Sequence, residues 1–165
     1  MLVSQINKNF CILDNHLIGP FIFDENLNGN RYVQLLQQQI IPAIRNTVPP
    51  NELRNTWFQQ DGCPAHNTRD VMAILRDIFG DKIISNNGTI AWPARSPDLT
   101  PPDFYLWGYA KNEVYEFLPP ENRAELQERV QDVLTRINGN TLRRVTRRVI
   151  KQCEKCVING GRHVL

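Results

Sequence analysis

No stretch of this sequence stays apolar for the roughly 20 residues that a membrane-spanning helix needs, which excludes a helical span. The opening Met1-Leu2-Val3-Ser4-Gln5 lacks the charged-then-apolar layout of a signal peptide. Cysteine is scarce. Four in 165 residues, with no secretion signal, read as reduced thiols rather than a disulfide framework. Net charge is only +2, too little to imply a nucleic-acid partner by itself. There is no internal repeat and no low-complexity tract. What is present is ordinary for a globular protein, 41% hydrophobic and 22% charged, and the length suits one domain with a proper core. The expectation is an intracellular protein.

The small net charge hides an asymmetry. Residues 141–165 hold seven Arg or Lys and one acid, net +6, and the remaining 140 residues sum to −4. Arg143, Arg144, Arg147, Arg148 and Lys151 are therefore candidate phosphate contacts, although a solvated helix face explains such a charge run equally well.

Hydrophobic patterning alternates short β-like runs with helical ones. Phe10–Leu13 and Leu17–Phe23 flank the turn residues Asp14-Asn15-His16 and predict a hairpin. Residues 31–45 are helical by spacing, with Pro42 expected to end or kink the helix. Thr56–Gln60 and Thr89–Trp92 read as strands. Residues 68–79, 123–137 and 141–158 read as helices, and residues 93–117 pass from a proline-rich loop into another helix that Thr100 or Asp103 can cap. A hairpin followed by strand–helix–strand alternation implies an α/β fold with a mixed sheet and helices on its faces. Ligands of such sheets sit beyond the carboxyl ends of parallel strands.

"WFQQDGCPAH", residues 57–66, runs a bulky apolar entry into Asp61 and then a turn, which places a carboxylate at a strand end. "WPARSPDLTPPDFYLWG" offers Asp98 and Asp103 around a helix start, where the dipole favours an acid on structural grounds alone. Cys153 and Cys156 invite a zinc reading, but they continue the apolar stripe Leu142, Val145, Val149, so core packing is expected. Trp92 and Trp107 are expected in the core as well.

Taken together, Asp61-Gly62-Cys63-Pro64-Ala65-His66 and Ser96-Pro97-Asp98-Leu99-Thr100-Pro101-Pro102-Asp103-Phe104 resemble the two acidic blocks of mariner-like (Tc/mariner superfamily) transposases, in the same order. The resemblance runs from about residue 10 to the C-terminus. It implies an RNase H-like DDE endonuclease fold: a mixed sheet flanked by helices over residues 1–118, lacking the first strand, with extra C-terminal helices over 119–165 as an extension of the same domain. It implies catalytic and metal-ligand roles for Asp61 and Asp103, with Mg²⁺ or Mn²⁺, weak or absent in this fragment, as the cofactor. Asp98 belongs to the turn. His66 and Arg95 become accessory candidates, although a histidine at a helix start also bonds backbone and an arginine in a turn also forms salt bridges. Hard oxygen ligands suit a divalent metal, and a metal pair can activate a nucleophile and stabilise the leaving oxygen of a phosphodiester.

Against the family pattern, the sequence carries two of three acids and no helix-turn-helix segment. The reading is thus an N-terminally truncated, transposase-derived DNA-binding domain of DNA transposition, catalytically incomplete. It is expected in the nucleus, with DNA as partner and neither membrane nor small-molecule substrate. One alternative is an active metal-dependent endonuclease whose third acid is Asp14 or Asp24. The other is a protein-interaction module with no nucleic-acid role.

Overall fold

Two β-runs joined by Asp14-Asn15 open the fold. In a computed structural model that describes residues 7–23, 26–93, 96–116 and 118–161, strands β1 (Asn7–Leu13) and β2 (His16–Phe23) pair as a two-stranded sheet. Asp14 takes the left-handed conformation (φ 51°) that a short-side-chain polar residue tolerates in a tight turn. Two compact units divide the chain, one of Met1–Asn9 and Phe21–Arg95, the other of Phe10–Pro20 and Ser96–Leu165.

In the first unit, Asn28 caps helix α1 (Gly29–Leu35) by accepting from the Arg31 N–H at 3.0 Å. The helix does not stop at Pro42. Residues Leu36–Ile40 widen into a π turn, with the Ile41 N–H reaching the Leu36 carbonyl, and α2 (Ile41–Thr47) continues with Pro42 in its first turn. The wider turn accommodates the missing N–H and the ring, so the expected break becomes a local change of pitch. A single turn, α3 (Pro50–Leu53), leads to β3 (Phe58–Gln59).

Trp57, which reads as buried, is 48% exposed, whereas its neighbour Phe58 is buried; extended chain sends successive side chains to opposite sides. A 3₁₀ turn (Pro64–Asn67) precedes α4 (Arg69–Phe79), capped by the Thr68 hydroxyl. The helix buries Val71, Met72, Leu75 and Phe79 on one face. Two further strands follow. β4 (Ile83–Ser85), which the pattern did not announce, pairs parallel with both β3 and β5 (Ile90–Ala91), in register Phe58–Ile83 and Ile84–Ile90. Among the described residues the ladders form this three-stranded parallel sheet and the hairpin. Gly88 closes the β4–β5 turn because a Cβ there would stand 2.6 Å from the Ile83 carbonyl oxygen.

The second unit takes its core from Phe10, Leu106, Ala110, Val114, Val130, Val133 and Leu134. A 3₁₀ turn (Pro97–Leu99) and a π turn (Pro102–Leu106) lead into α5 (Trp107–Val114), on which α6 (Arg123–Thr135) packs. Thr100 starts this segment with its backbone carbonyl, accepting from the N–H groups of Asp103 and Phe104 at 2.9 and 3.1 Å. The last helix, α7 (Gly139–Ile158), is capped by Asn138. Trp92 is buried in the first unit, and Trp107 lies half-buried with its ring 4.8 Å from that of Phe10.

Candidate functional site

β3 delivers the chain to the site. The Gln60 N–H still donates to the Ile84 carbonyl at 3.0 Å, and the ladder ends there. Asp61 is thus the first residue beyond the carboxyl end of a parallel strand. Its Oδ1 accepts the Cys63 N–H at 3.1 Å, closing an Asx turn, and the His66 Nδ1 proton at 2.6 Å. A carboxylate has no proton to give, so Nδ1 is the donor. Oδ2 has no hydrogen-bond partner among the described residues, and the Asp61 side chain is 38% exposed. The His66 bond holds the Asp61 carboxyl below the usual carboxylate range; partial burial opposes this, and the Cys63 N–H and the histidine charge add to it.

Side-chain amides and hydroxyls fasten this loop. Asn67 Nδ2 donates to the carbonyls of Asp61 (3.1 Å) and Cys63 (2.9 Å). The Ser85 hydroxyl, fully buried on β4, donates to Asn67 Oδ1 at 2.9 Å, and Asn87 Nδ2 donates to the Asn67 carbonyl at 3.0 Å. Gln60, also buried, donates to the His66 carbonyl at 2.7 Å and accepts from the Tyr32 hydroxyl at 3.2 Å. The Tyr32 and His66 rings lie 4.3 Å apart. Sequence reasoning missed Tyr32, Asn67 and Ser85; only the paired amides before Asp61 hinted at such a network.

The His66 ring bonds the Asp61 carboxylate rather than backbone. Its Nε2 is buried and has no hydrogen-bond partner among the described residues. Asp103 is exposed in the first turn of the Pro102–Leu106 segment, and Asp98 is half-buried in the Pro97–Leu99 turn. Arg95 and Asp24 lie outside the described residues. Asp14 is engaged in an ion pair, accepting from Arg143 Nε at 3.1 Å.

The donor chemistry of Asp61 fits a divalent cation: a hard, partly exposed oxygen with no competing protein donor. Among the described residues no group of three His, Cys, Asp or Glu side chains assembles into a closed cage. Such a residue set fits the open kind of site in which waters and substrate phosphates complete the shell.

All five basic candidates on α7 are exposed. They are not equivalent. Arg143 is paired with Asp14, Arg144 donates to the Thr141 hydroxyl at 3.2 Å, and the Arg148 guanidinium stands 5.7 Å from the Phe104 ring centroid. Arg147 and Lys151 make no hydrogen bond or ion pair among the described residues. The cysteine expectation needs correction. Cys153 is exposed and Cys156 only half-buried. The buried stripe of α7 runs Leu142, Val145, Gln152, so an amide takes the place on the inward face that the pattern assigned to a thiol.

No protein-family model matches the chain. It is 30% identical over 127 residues to the Tc3 transposase of Caenorhabditis elegans, an alignment covering 73% of this chain and 33% of that one. The chain thus spans about a third of that relative's length. Its fold matches the Mos1 transposase catalytic domain solved with raltegravir and Mg, with a TM-score of 0.77 at 20% identity over 92% of this chain and 73% of that one. The catalytic domain of Mos1 mariner transposase in another crystal structure gives 0.76 at 17% identity, over 97% and 82%. A Mos1 strand transfer complex gives 0.79 at 19% identity, over 100% and 46%. The fold is accordingly the RNase H-like α/β fold of that domain.

Proposed function

The chain belongs to the Tc/mariner transposases, matching their DDE catalytic domain, and on that premise we propose that it is a DNA-binding domain of DNA transposition. The observation that carries the reading is the Asp61 carboxylate at the end of a parallel strand with Oδ2 open. Structures of the related Mos1 domain are described with Mg and with Mn, and others as a paired-end complex and a transpososome. In this reading Asp61 and Asp103 are the carboxylates that hold Mg²⁺ or Mn²⁺. The cation would supply charge stabilisation and an activated oxygen nucleophile for phosphodiester cleavage. The protein's own residues bind and orient. Asp61 presents a fixed oxygen, and the α7 cations meet phosphates.

Asp61 and Asp103 by themselves would hold a hydrated cation without orienting a nucleophile against one phosphate, so DNA binding is the activity we assign to them and to the α7 cations. The pairing of Asp14 with Arg143 weighs against that residue as a third acid. Its expected compartment is the nucleus, where its DNA would be. Purified protein is titrated with duplex DNA at several salt concentrations and incubated with supercoiled plasmid and Mn²⁺. Salt-dependent binding without nicking supports the reading. Nicking that Asp61→Ala and Asp103→Ala abolish would instead make the chain an active endonuclease, and no binding would favour an interaction module.

A further inference from the structure

We infer that His66 is a positioning residue: it occupies Asp61 Oδ1 so that Oδ2 alone is presented to a divalent cation, making Asp61 an obligate monodentate ligand. The inference rests on the proposed role of Asp61 as a metal ligand and adds how that ligand is shaped.

A carboxylate on a partly exposed loop is ordinarily free to turn and to grip a cation with both oxygens. Asp61 is not free. One oxygen carries both protein donors, the His66 ring at 2.6 Å and the Cys63 N–H at 3.1 Å. A charged acceptor makes such bonds short and strong. Bidentate chelation would need Oδ1 to give up at least one of them.

His66 is itself immobilised. Its carbonyl is held by Gln60 Nε2 at 2.7 Å, Gln60 is held by the Tyr32 hydroxyl, and the Tyr32 ring lies against the imidazole. The burial of Nε2 decides between two roles for the residue. A histidine acting on substrate needs a ring nitrogen that substrate can reach. Here one nitrogen is spent on Asp61 and the other is enclosed. Monodentate presentation suits Mg²⁺ and Mn²⁺, which favour octahedral shells, and disfavours Ca²⁺, which accepts bidentate carboxylates readily.

Mn²⁺ binding to the metal-free full chain is followed by the loss of the free-ion EPR signal, for wild type, Asp61→Asn, His66→Leu and His66→Asn, with Ca²⁺ as competitor. His66→Leu should bind Mn²⁺ about 10–100-fold more weakly, the usual cost of losing a partner that orients a metal ligand. His66→Asn, which keeps an N–H donor at the same branch point, should recover most of that loss. Ca²⁺ should displace Mn²⁺ poorly from wild type and better from His66→Leu. Unchanged Mn²⁺ affinity in His66→Leu, with binding abolished in Asp61→Asn, would overturn the positioning role and leave the metal-ligand reading standing. Unchanged affinity in Asp61→Asn would remove both. Should His66→Leu fail to fold, Ca²⁺ competing as well as Mn²⁺ for wild type overturns the inference on its own.

Discussion

The Ser85 hydroxyl donates to Asn67 Oδ1 at 2.9 Å, and that bond ties β4 to the loop that carries Asp61. Asn67 passes the constraint on, because its amide nitrogen grips the carbonyls of Asp61 and Cys63 together. Ser85→Ala leaves the half-buried Asn67 amide oxygen without this donor. We expect a loss of about 1–3 kcal/mol in urea unfolding. Asn67→Ala should cost at least as much. An unchanged denaturation midpoint in both variants would show that the loop stands without this support.

The depressed Asp61 carboxyl makes a statement about acid stability. A group whose folded pKa lies below its unfolded one contributes stability that is present above the ordinary carboxylate range and lost as pH falls through the lowered folded value. In metal-free buffer, wild type should therefore lose stability on acidification more steeply than Asp61→Asn. Urea midpoints measured from neutral pH down to about pH 2 compare the two slopes, and parallel curves would remove the His66–Asp61 bond as a stabilising interaction.

Arg147 and Lys151 are the cations of α7 least engaged by the protein, whereas Arg143 already answers Asp14. Removing one cation that neutralises a phosphate of duplex DNA lowers the salt slope by about 0.9. Arg147→Ala/Lys151→Ala should reduce the slope by nearly two such steps, and Arg143→Ala by less than either. A wild-type slope in the double variant would mean that this face of α7 does not touch DNA.

Leu75 is fully buried on the inward face of α4. Leu75→Ala should destabilise by about 2–5 kcal/mol, the cost of reduced burial plus an incompletely filled cavity. Gly88→Ala should also destabilise, because its methyl must displace backbone rather than a flexible side chain. Chemical denaturation measures both.

Cys153 is exposed, with its thiol pushed up by partial burial first and by Cys156, Asp98 and Glu154 after it. It should label in the folded state, slowly at neutral pH and faster as pH rises, since the thiolate is the reacting species. Labelling that appears only on unfolding would restore the buried placement.

Two acidic blocks and an uneven charge run were legible along the chain because they depend on residue type and spacing. Asn28, Thr68, Asn122 and Asn138 each cap a helix for reasons confined to a few neighbouring residues. The position of Asp61 beyond β3 followed from the same local logic. β4 was not legible, because three residues carry too little period to separate a strand from a loop. Nor was the fate of Pro42, which the wider turn before it decided. Cys153 and Gln152 exchanged expected places because adjacent residues on a helix differ by only about 100° and packing chooses between them. The clamp on Asp61 was the least legible feature. Tyr32, Gln60, His66 and Ser85 meet there from separate parts of the chain. Only the folding of α1, β3, β4 and the 64–67 turn onto one another brought their donors and acceptors within hydrogen-bond reach.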